Sequence, residues 1–227
     1  MDNKMFCFII CANNELFLEE CLHYIDNLIV PEGYKKDVMV IREADNILSA
    51  YNYAIHNYSA KYKIYLHQDT FILNKNILNE TLDLFTNNSK IGMIGVIGCY
   101  RMPDSGVWWE GRIGYGDAYQ DNIINTRRTQ GNTIKGTYQE VQIIDGMIMI
   151  TQYDIAWRDD ILKGWHYYDA SQCLEFYRAG YIVVIPVQAE PWCLHDGNIG
   201  EIISDDDDYN ISKRVFLQEY GEEIGNK

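Results

Sequence analysis

The sequence predicts an α/β domain built on a doubly wound, mostly parallel β-sheet. Apolar runs of strand length alternate with segments of helical periodicity through residues 1–98. Such an order favours parallel strands with helices on both faces of the sheet. The first run, 5–11, is apolar at every position, as expected of a strand buried on both faces. The length of 227 residues fits one domain spanning 1–227.

The first half of the chain predicts four strands and three helices. The first helix is expected to start at the polar turn 13–15 and to end before Pro31 and Gly33, which interrupt helices. The other elements follow from short apolar runs and from apolar residues on adjacent helical turns. We expect strands at 5–11, 37–41, 63–67 and 91–98, and further helices at 49–58 and 75–85.

The second half predicts a long irregular stretch followed by a smaller set of elements. Residues 99–140 are polar and rich in Gly, Tyr and Trp, so we expect them to lack regular structure. Gly180 stands where a helix C-cap is expected. After the irregular stretch we expect strands at 141–144 and 147–150, a helix at 168–180, a strand at 181–186, a solvated acidic loop at 205–208 and a helix at 211–220.

Charge and composition exclude several classes of protein. The 33 acidic and 19 basic residues leave a formal charge of −14, which disfavours nucleic acids and anionic membrane surfaces as partners. A phosphate-bearing ligand would need a cation to bridge it to so acidic a protein. No signal peptide and no transmembrane run is recognisable. We therefore expect a soluble cytoplasmic protein, and a peripheral position at the inner face of the membrane stays open.

Polar residues at predicted strand ends are the first candidates for a site. Ligands of doubly wound sheets bind at the carboxyl ends of the strands, where Asn13, Glu43 and the tripeptide 67–69 stand. His67 and Asp69 are two positions apart, so their side chains can point to one side. An imidazole and a carboxylate can hold Mn²⁺ or Mg²⁺ beside phosphates. The alternative is that both are ordinary polar loop residues.

Later candidates also allow two interpretations each. Asp169 opens a predicted helix, where a carboxylate can serve as a cap or as a general base. His195 can be a metal ligand or a structural residue. Trp108 and Trp109 can stack on sugar rings, but an aromatic content of 13% makes some clustering expected. No P-loop, dinucleotide-binding or nucleophile-elbow motif is present.

Six segments in order, together with these residues, resemble one family. They cover most of residues 4–197 and are FIICANNE at 8–15, SAYNYAI at 49–55, YLHQD at 65–69, DGMIM at 145–149, WHYYDASQCLEFYRAGY at 165–181 and His195. The chain resembles the family 2-like glycosyltransferases, especially the bacterial branch linked to capsule and surface polysaccharide. The resemblance implies a GT-A, Rossmann-like fold with an acceptor-side extension. Residues 1–98 would be the nucleotide-sugar-binding half and 99–227 the acceptor-side half.

The resemblance also implies roles for individual residues. Asp69 and His195 would ligate a divalent cation, Mn²⁺ or Mg²⁺, with His67 in place of the first Asp of the usual motif. Asp169 would be the base that deprotonates the acceptor hydroxyl. The donor nucleotide would be bound by Ala12, Asn13, Glu43, Asn52, His67 and Gln68. The acceptor or the transferred sugar would be bound by Trp108, Trp109, Asp145, Gly146 and His166.

The implied reaction is the metal-dependent, inverting transfer of a sugar from a nucleotide-sugar, by resemblance a UDP-sugar. The acceptor would be a hydroxyl of a glycan or of a lipid-linked molecule. A relic that binds nucleotide-sugar or glycan without catalysis is the first alternative. A nucleotidyltransferase is the second, although segment 11–15 lacks the glycine and the basic residue expected there. The chain departs from the family at Tyr168, where an acidic residue is usual. An oligomer stays open.

Overall fold

The computed structural model of the chain describes residues 2–111, 114–121, 126–197 and 207–225. Within these ranges the helices are α1 (Glu15–Asp26), α2 (Ile47–Asn57), α3 (Ile77–Asn87), α4 (Tyr168–Arg178) and α5 (Asp207–Tyr220). The strands are β1 (Asp2–Ala12), β2 (Lys35–Arg42), β3 (Ala60–His67), β4 (Thr70–Ile72), β5 (Ile91–Ile94), β6 (Ile97–Cys99), β7 (Gly114–Asp121), β8 (Thr126–Gln130), β9 (Tyr138–Glu140), β10 (Ile143–Ile144), β11 (Ile148–Thr151), β12 (Ile182–Pro186) and β13 (Cys193–His195).

The central sheet has the strand order β2-β1-β3-β11-β5-β12-β9. β1 pairs in parallel with β2 and β3, and β12 pairs in parallel with β5. β11 is antiparallel to both β3 and β5, and β9 is antiparallel to β12. Five of these seven strands therefore run in one direction. The predicted mostly parallel sheet is confirmed, with β11 as an antiparallel insertion that the strand-like run alone did not reveal.

The apolar first strand is buried on both faces, as predicted. Phe6, Phe8 and Ile10 enter one hydrophobic cluster, together with residues of α1 and α3. Cys7 and Ile9 enter the other cluster, together with residues of α2 and α4. Alternate side chains of β1 thus anchor helices on opposite sides of the sheet, which makes the sheet doubly wound.

The predicted strand 91–98 is wrong as a single element. It divides into β5, in the central sheet, and β6, in a second sheet of order β10-β6-β7-β13-β4 with β8 beside β7. Gly95 lies at the division, and a Cβ there would come within 2.6 Å of the Ile144 side chain. The chain leaves the central sheet where only glycine allows this close approach. Likewise β10 and β11, predicted as neighbouring runs, belong to different sheets.

Residues 99–140 are not irregular throughout. β7 and β8 pair antiparallel from Asp117 opposite Gln130 to Asp121 opposite Thr126. The Arg128 Nε donates to Asp117 Oδ1 at 3.0 Å within this pair. Polar and charged side chains stabilise the ladder here, so the hydrophobic alternation that identifies strands is missing.

The ends of the later helices differ in how well they were predicted. Gly180 adopts a left-handed φ of 85° just after α4, which confirms its expected C-cap role. A loop was expected at 205–208, but α5 begins at Asp207. Acidic side chains are favourable in the first turn of a helix, which explains this start. Residues 205 and 206 lie outside the described residues. In the described part of the chain, no helix has the length and apolar character needed to cross a membrane.

Candidate active site

A cavity of about 450 Å³ opens at the carboxyl ends of β1, β2 and β3. Because these strands are parallel neighbours, the residues after each strand meet at one edge of the sheet. We call this cavity the strand-end cavity. Its lining consists of Cys11, Ala12, Asn13, Ile41, Glu43, Ala44, Ile47, Tyr51, Leu66, His67, Gln68, Asp69, Trp165 and Tyr168. Five of the six residues predicted for the donor nucleotide are among them.

Gln68 fixes the turn between β1 and α1. Its Oε1 accepts hydrogen bonds from the backbone N–H groups of Asn13 and Asn14, both at 2.9 Å. Its Nε2 donates to Asn13 Oδ1 at 2.5 Å. Asn14 in turn caps α1 by accepting from the backbone N–H groups of Leu16 and Phe17. The amide of Gln68 therefore shapes one wall of the strand-end cavity.

Asn52 is the predicted donor residue that the structure does not bring to this cavity. Its Nδ2 donates to the Trp157 carbonyl oxygen and its Oδ1 accepts from the Trp157 N–H, both at 2.8 Å. The side chain thereby satisfies the backbone of a buried tryptophan. This structural use explains why an asparagine stands in the helix motif without lining the cavity.

His67, Asp69 and His195 form a cluster beside the strand-end cavity, and the first two line it. Each offers one ligand atom, and these atoms lie within 4.8 Å of one another. Asp69 Oδ1 lies 4.0 Å from His67 Nδ1 and 3.4 Å from His195 Nε2. β13 brings His195 here, because it pairs antiparallel with β4 and sets His195 opposite Thr70. Two imidazoles and a carboxylate at this separation can hold a divalent cation.

The environment of the cluster favours an ionised Asp69. Burial alone would raise the pKa of this carboxyl, but the hydrogen bond to His195 and the charges of both histidines lower it overall. Burial and the nearby His195 lower the pKa of His67, which favours the neutral imidazole. A carboxylate and a neutral imidazole are the protonation states that ligate metals. At His195 burial lowers the pKa, but the hydrogen bond and charge of Asp69 raise it overall, so a bound cation would displace the His195 proton.

Tyr168 orients His67 from the side opposite Asp69. Its hydroxyl hydrogen-bonds to His67 Nε2, which leaves Nδ1 facing Asp69. The Tyr168 side chain passes directly over Gly146, where an added Cβ would lie 2.0 Å from the tyrosine hydroxyl oxygen. Gly146 is therefore required for the Tyr168–His67 contact. No sequence pattern predicted the contact between Tyr168 and His67, since these residues are 101 positions apart.

A second cavity of about 210 Å³ adjoins the first. It shares His67, Trp165 and Tyr168 with the strand-end cavity and contains Asp169 and His195. We call it the Asp169 cavity. The five residues predicted for the acceptor side, Trp108, Trp109, Asp145, Gly146 and His166, all line it. Tyr209 of α5 also lines it, and sequence reasoning missed this residue because no motif marks it.

Asp169 lies in the first turn of α4 with its carboxylate held by backbone groups. Its Oδ2 accepts from the Gly146 N–H at 3.1 Å and its Oδ1 from the Ala170 N–H at 2.8 Å. Burial, followed by the nearby Asp145, raises the pKa of Asp169 to about 7. A carboxyl with such a pKa is suited to accept and release a proton near neutral pH.

Comparison with known proteins places these sites in context. The chain matches the profile of a family described as "Glycosyltransferase like family" over residues 7–220. No curated protein matches its sequence significantly. Among solved structures, GalNAc-T7 with UDP, GalNAc and Mn²⁺ is similar at a TM-score of 0.62 and 10% identity, covering 95% of this chain and 48% of that one.

Two further structures show the same likeness. TarS 1–349 of S. aureus with UDP-GlcNAc has a TM-score of 0.59 and 11% identity, with coverage of 96% and 66%. The mannosyltransferase PcManGT of Pyrobaculum calidifontis with GDP-Man and Mn²⁺ has a TM-score of 0.57 and 11% identity, with coverage of 87% and 58%. The chain spans 60% of another TarS 1–349 structure. These likenesses confirm the GT-A fold class.

Proposed function

The chain belongs to this glycosyltransferase-like family, and from that premise we propose that it transfers a sugar from a nucleotide-sugar to an acceptor hydroxyl. The observation that carries the proposal is the position of the His67–Asp69–His195 cluster. Asp69 lines the strand-end cavity, His195 lines the Asp169 cavity and His67 lines both. A donor diphosphate at this junction would have its reactive carbon directed toward Asp169.

The strand-end cavity is the proposed donor site. Asn13, Gln68 and Glu43 offer backbone and side-chain groups for a nucleoside at the ends of β1 and β2. We propose a UDP-sugar as the donor class, which agrees with the UDP and UDP-GlcNAc bound in two of the similar structures. GDP-Man in PcManGT makes a guanine nucleotide the comparison to test against it.

The cluster fits a divalent cation by the chemistry of its donors. Three convergent ligand atoms, one of them from a carboxylate, match the protein ligands of Mn²⁺. Two imidazoles favour Mn²⁺ over Mg²⁺, because Mg²⁺ prefers oxygen ligands. A cation held there would neutralise the negative charge on the leaving diphosphate. Asp69 and His195 would hold it together with His67.

Asp169 is the proposed general base of a single, inverting displacement. The acceptor hydroxyl gives its proton to the Asp169 carboxylate while its oxygen forms the new bond to the anomeric carbon. The bond from that carbon to the diphosphate breaks at the same time. The indoles of Trp108 and Trp109 would pack on the sugar, and Asp145 and His166 offer polar groups to its hydroxyls. The acceptor would be a glycan or a lipid-linked molecule of surface polysaccharide or glycan synthesis.

Thermal unfolding with nucleotides tests the donor and metal assignments together. UDP with Mn²⁺ should raise the melting temperature by mass action, and Asp69→Ala should abolish the rise. Asp169→Asn should keep the rise and lose turnover by about 10²-fold or more. A nucleotide-dependent rise without turnover against any acceptor would favour the non-catalytic relic. The absence of any rise with UDP or GDP would contradict the donor site.

The pH dependence of turnover tests Asp169 separately. Because the pKa of Asp169 is raised to about 7, its basic form accumulates as pH rises through this value. Turnover at saturating Mn²⁺ should therefore increase from pH 6 to pH 8 and level off above it. A rate that stays constant over this range, with Mn²⁺ binding verified at each pH, would exclude Asp169 as the base.

A further inference from the structure

A third cavity continues from the Asp169 cavity, away from the donor site. It measures about 680 Å³, roughly three times the 210 Å³ of the Asp169 cavity. The two share Trp108, Trp109 and Asp145. Among the described lining residues, this third cavity shares none with the strand-end cavity. The three spaces therefore lie in a row, with the reacting centre between the donor site and the large groove.

The groove is lined by aromatic rings and by neutral polar side chains. Trp108 and Trp109 meet edge to face at 5.9 Å and form one end of it. β7 and β8 supply Tyr115, Gln120, Thr129 and Gln130. Thr129 Oγ1 donates to Gln120 Oε1 at 3.3 Å, so these two side chains are held on one face of the strand pair.

Gln120 adds an amide to this lining from β7. Its Oε1 accepts from Thr129, and its Nε2 makes no hydrogen bond to another residue in the described ranges. An amide in this position offers both a donor and an acceptor to a ligand. Aromatic faces beside amides and hydroxyls match the alternating apolar and hydroxyl-bearing surfaces of sugar rings.

We propose that this groove binds the acceptor as a neutral oligosaccharide chain. The inference rests on the proposed function and adds the class of acceptor. The terminal sugar would occupy the small Asp169 cavity, and the preceding sugars would lie along β7 and β8. An enzyme with this arrangement extends an existing glycan and discriminates against a single sugar, because most of the acceptor contact area lies beyond the first residue.

The charged residues of the groove favour a neutral acceptor chain over a phosphate-bearing one. No lysine or arginine is among the described residues that line it, and Asp145 is its acidic member. Arg127 lies opposite Gln120 in the strand pair but outside the lining. Of the two arginines described in this strand pair, Arg127 is on the face of Gln120, so an anionic acceptor is expected to use it and a neutral chain is not.

Direct binding to a printed array of neutral and acidic glycans, of one to six sugar residues, tests the proposal without turnover. We expect retention of a neutral chain of two or more residues and none of the corresponding single sugar. Gln120→Ala should weaken this binding about tenfold, the loss of one hydrogen bond. Arg127→Ala should leave it unchanged, and circular dichroism should show that both variants are folded.

Three outcomes would overturn the proposal. They are binding of single sugars as tightly as of chains, selective retention of acidic glycans that is lost in Arg127→Ala, and no retention of any glycan while UDP and Mn²⁺ still stabilise the protein. In the last case the donor site stands and only the acceptor assignment fails. Failure of nucleotide stabilisation with retained glycan binding would instead contradict the transferase proposal and favour a glycan-binding protein.

Discussion

At the scale of single residues, the contact between Tyr168 and His67 sets the form of the metal site. If His67 binds a cation through Nδ1, the ring proton must lie on Nε2, where it is donated to the Tyr168 hydroxyl oxygen. The partner of a ligating imidazole fixes its tautomer and orientation. Tyr168 and His67 both replace acidic residues of the family pattern that the sequence resembles. The structure explains the two departures as one hydrogen-bonded pair.

Removal of the Tyr168 hydroxyl should therefore weaken metal binding. We expect Tyr168→Phe to lower the affinity for Mn²⁺ about 10- to 100-fold, as found for other partners of ligating histidines. Titration of the protein with Mn²⁺, followed by electron paramagnetic resonance of the free ion, measures this directly. Gly146→Ala should act in the same direction, because its Cβ would displace the Tyr168 hydroxyl.

Tyr167→Phe is the matched control for this experiment. Tyr167 is a buried neighbour whose hydroxyl donates to the hydroxyl of Tyr209 at 3.1 Å and not to His67 or His195. Its loss should change Mn²⁺ affinity little. Equal Mn²⁺ affinity in wild type and in a folded Tyr168→Phe would refute the positioning role of Tyr168.

At the scale of elements, helix α5 connects a surface ion network to the Asp169 cavity. Phe216 and Tyr220 of α5 are buried against the core. Arg178 of α4 binds Glu175 at 2.8 Å and Glu219 of α5 at 2.9 Å. Its guanidinium also lies 4.4 Å from the centre of the Tyr220 ring. The same helix carries Tyr209 to the wall of the Asp169 cavity.

Arg178→Ala should loosen this helix. The arginine contacts several partners at once, so its loss should cost about 1–2 kcal/mol of unfolding free energy, more than an isolated surface pair. We also expect a higher KM for the acceptor with little change for the donor, because Tyr209 would be less well held. Urea unfolding and acceptor titration measure the two effects.

Arg214→Ala removes the same charge from an exposed position of α5 and serves as the control. Its effect on stability should stay within about 0.5 kcal/mol. A similar loss in both variants would mean that net charge, and not the contacts of Arg178, explains the destabilisation.

At the scale of the whole molecule, sequence reasoning succeeded where structure depends on local pattern. The apolar run of β1 and the residues that follow it predicted a buried strand with Asn13 at its carboxyl end, and Asn13 lines the strand-end cavity there. β7 and β8 escaped prediction, because their pairing depends on polar contacts such as Arg128 with Asp117. An irregular segment was expected there. The structure instead has the β7–β8 pair, which forms one wall of the groove.

In the candidate site, too, local spacing was predictable and long-range contacts were not. His67 and Asp69 were predicted to act together because they are two residues apart on one strand end. The place of Asn52 was not predictable, because the Trp157 backbone it binds lies 105 positions away. The contact of Tyr168 with His67 likewise arises only when the sheet assembles. Long-range pairs of this kind leave no local pattern in one sequence.

The net charge of −14 gives the whole molecule a field that opposes the proposed donor. Glu43 and Asp69 line the strand-end cavity itself, so a nucleoside diphosphate without metal meets like charges there. Salt from about 0.01 M to about 0.1 M shortens the Debye length from about 30 Å to about 10 Å and screens this repulsion. In the presence of EDTA, the affinity for UDP should therefore rise several-fold over that range.

With Mn²⁺ bound, the same salt series should change UDP affinity less, because the cation offsets the diphosphate charge. Uridine is the matched ligand without phosphate, and its binding should not depend on salt in either condition. Isothermal titration calorimetry of the two ligands, with EDTA and with Mn²⁺, gives the four series. A fall in UDP affinity with added salt in EDTA would show instead that basic side chains attract the diphosphate. The cation would then no longer be needed to explain how so acidic a protein binds a nucleotide.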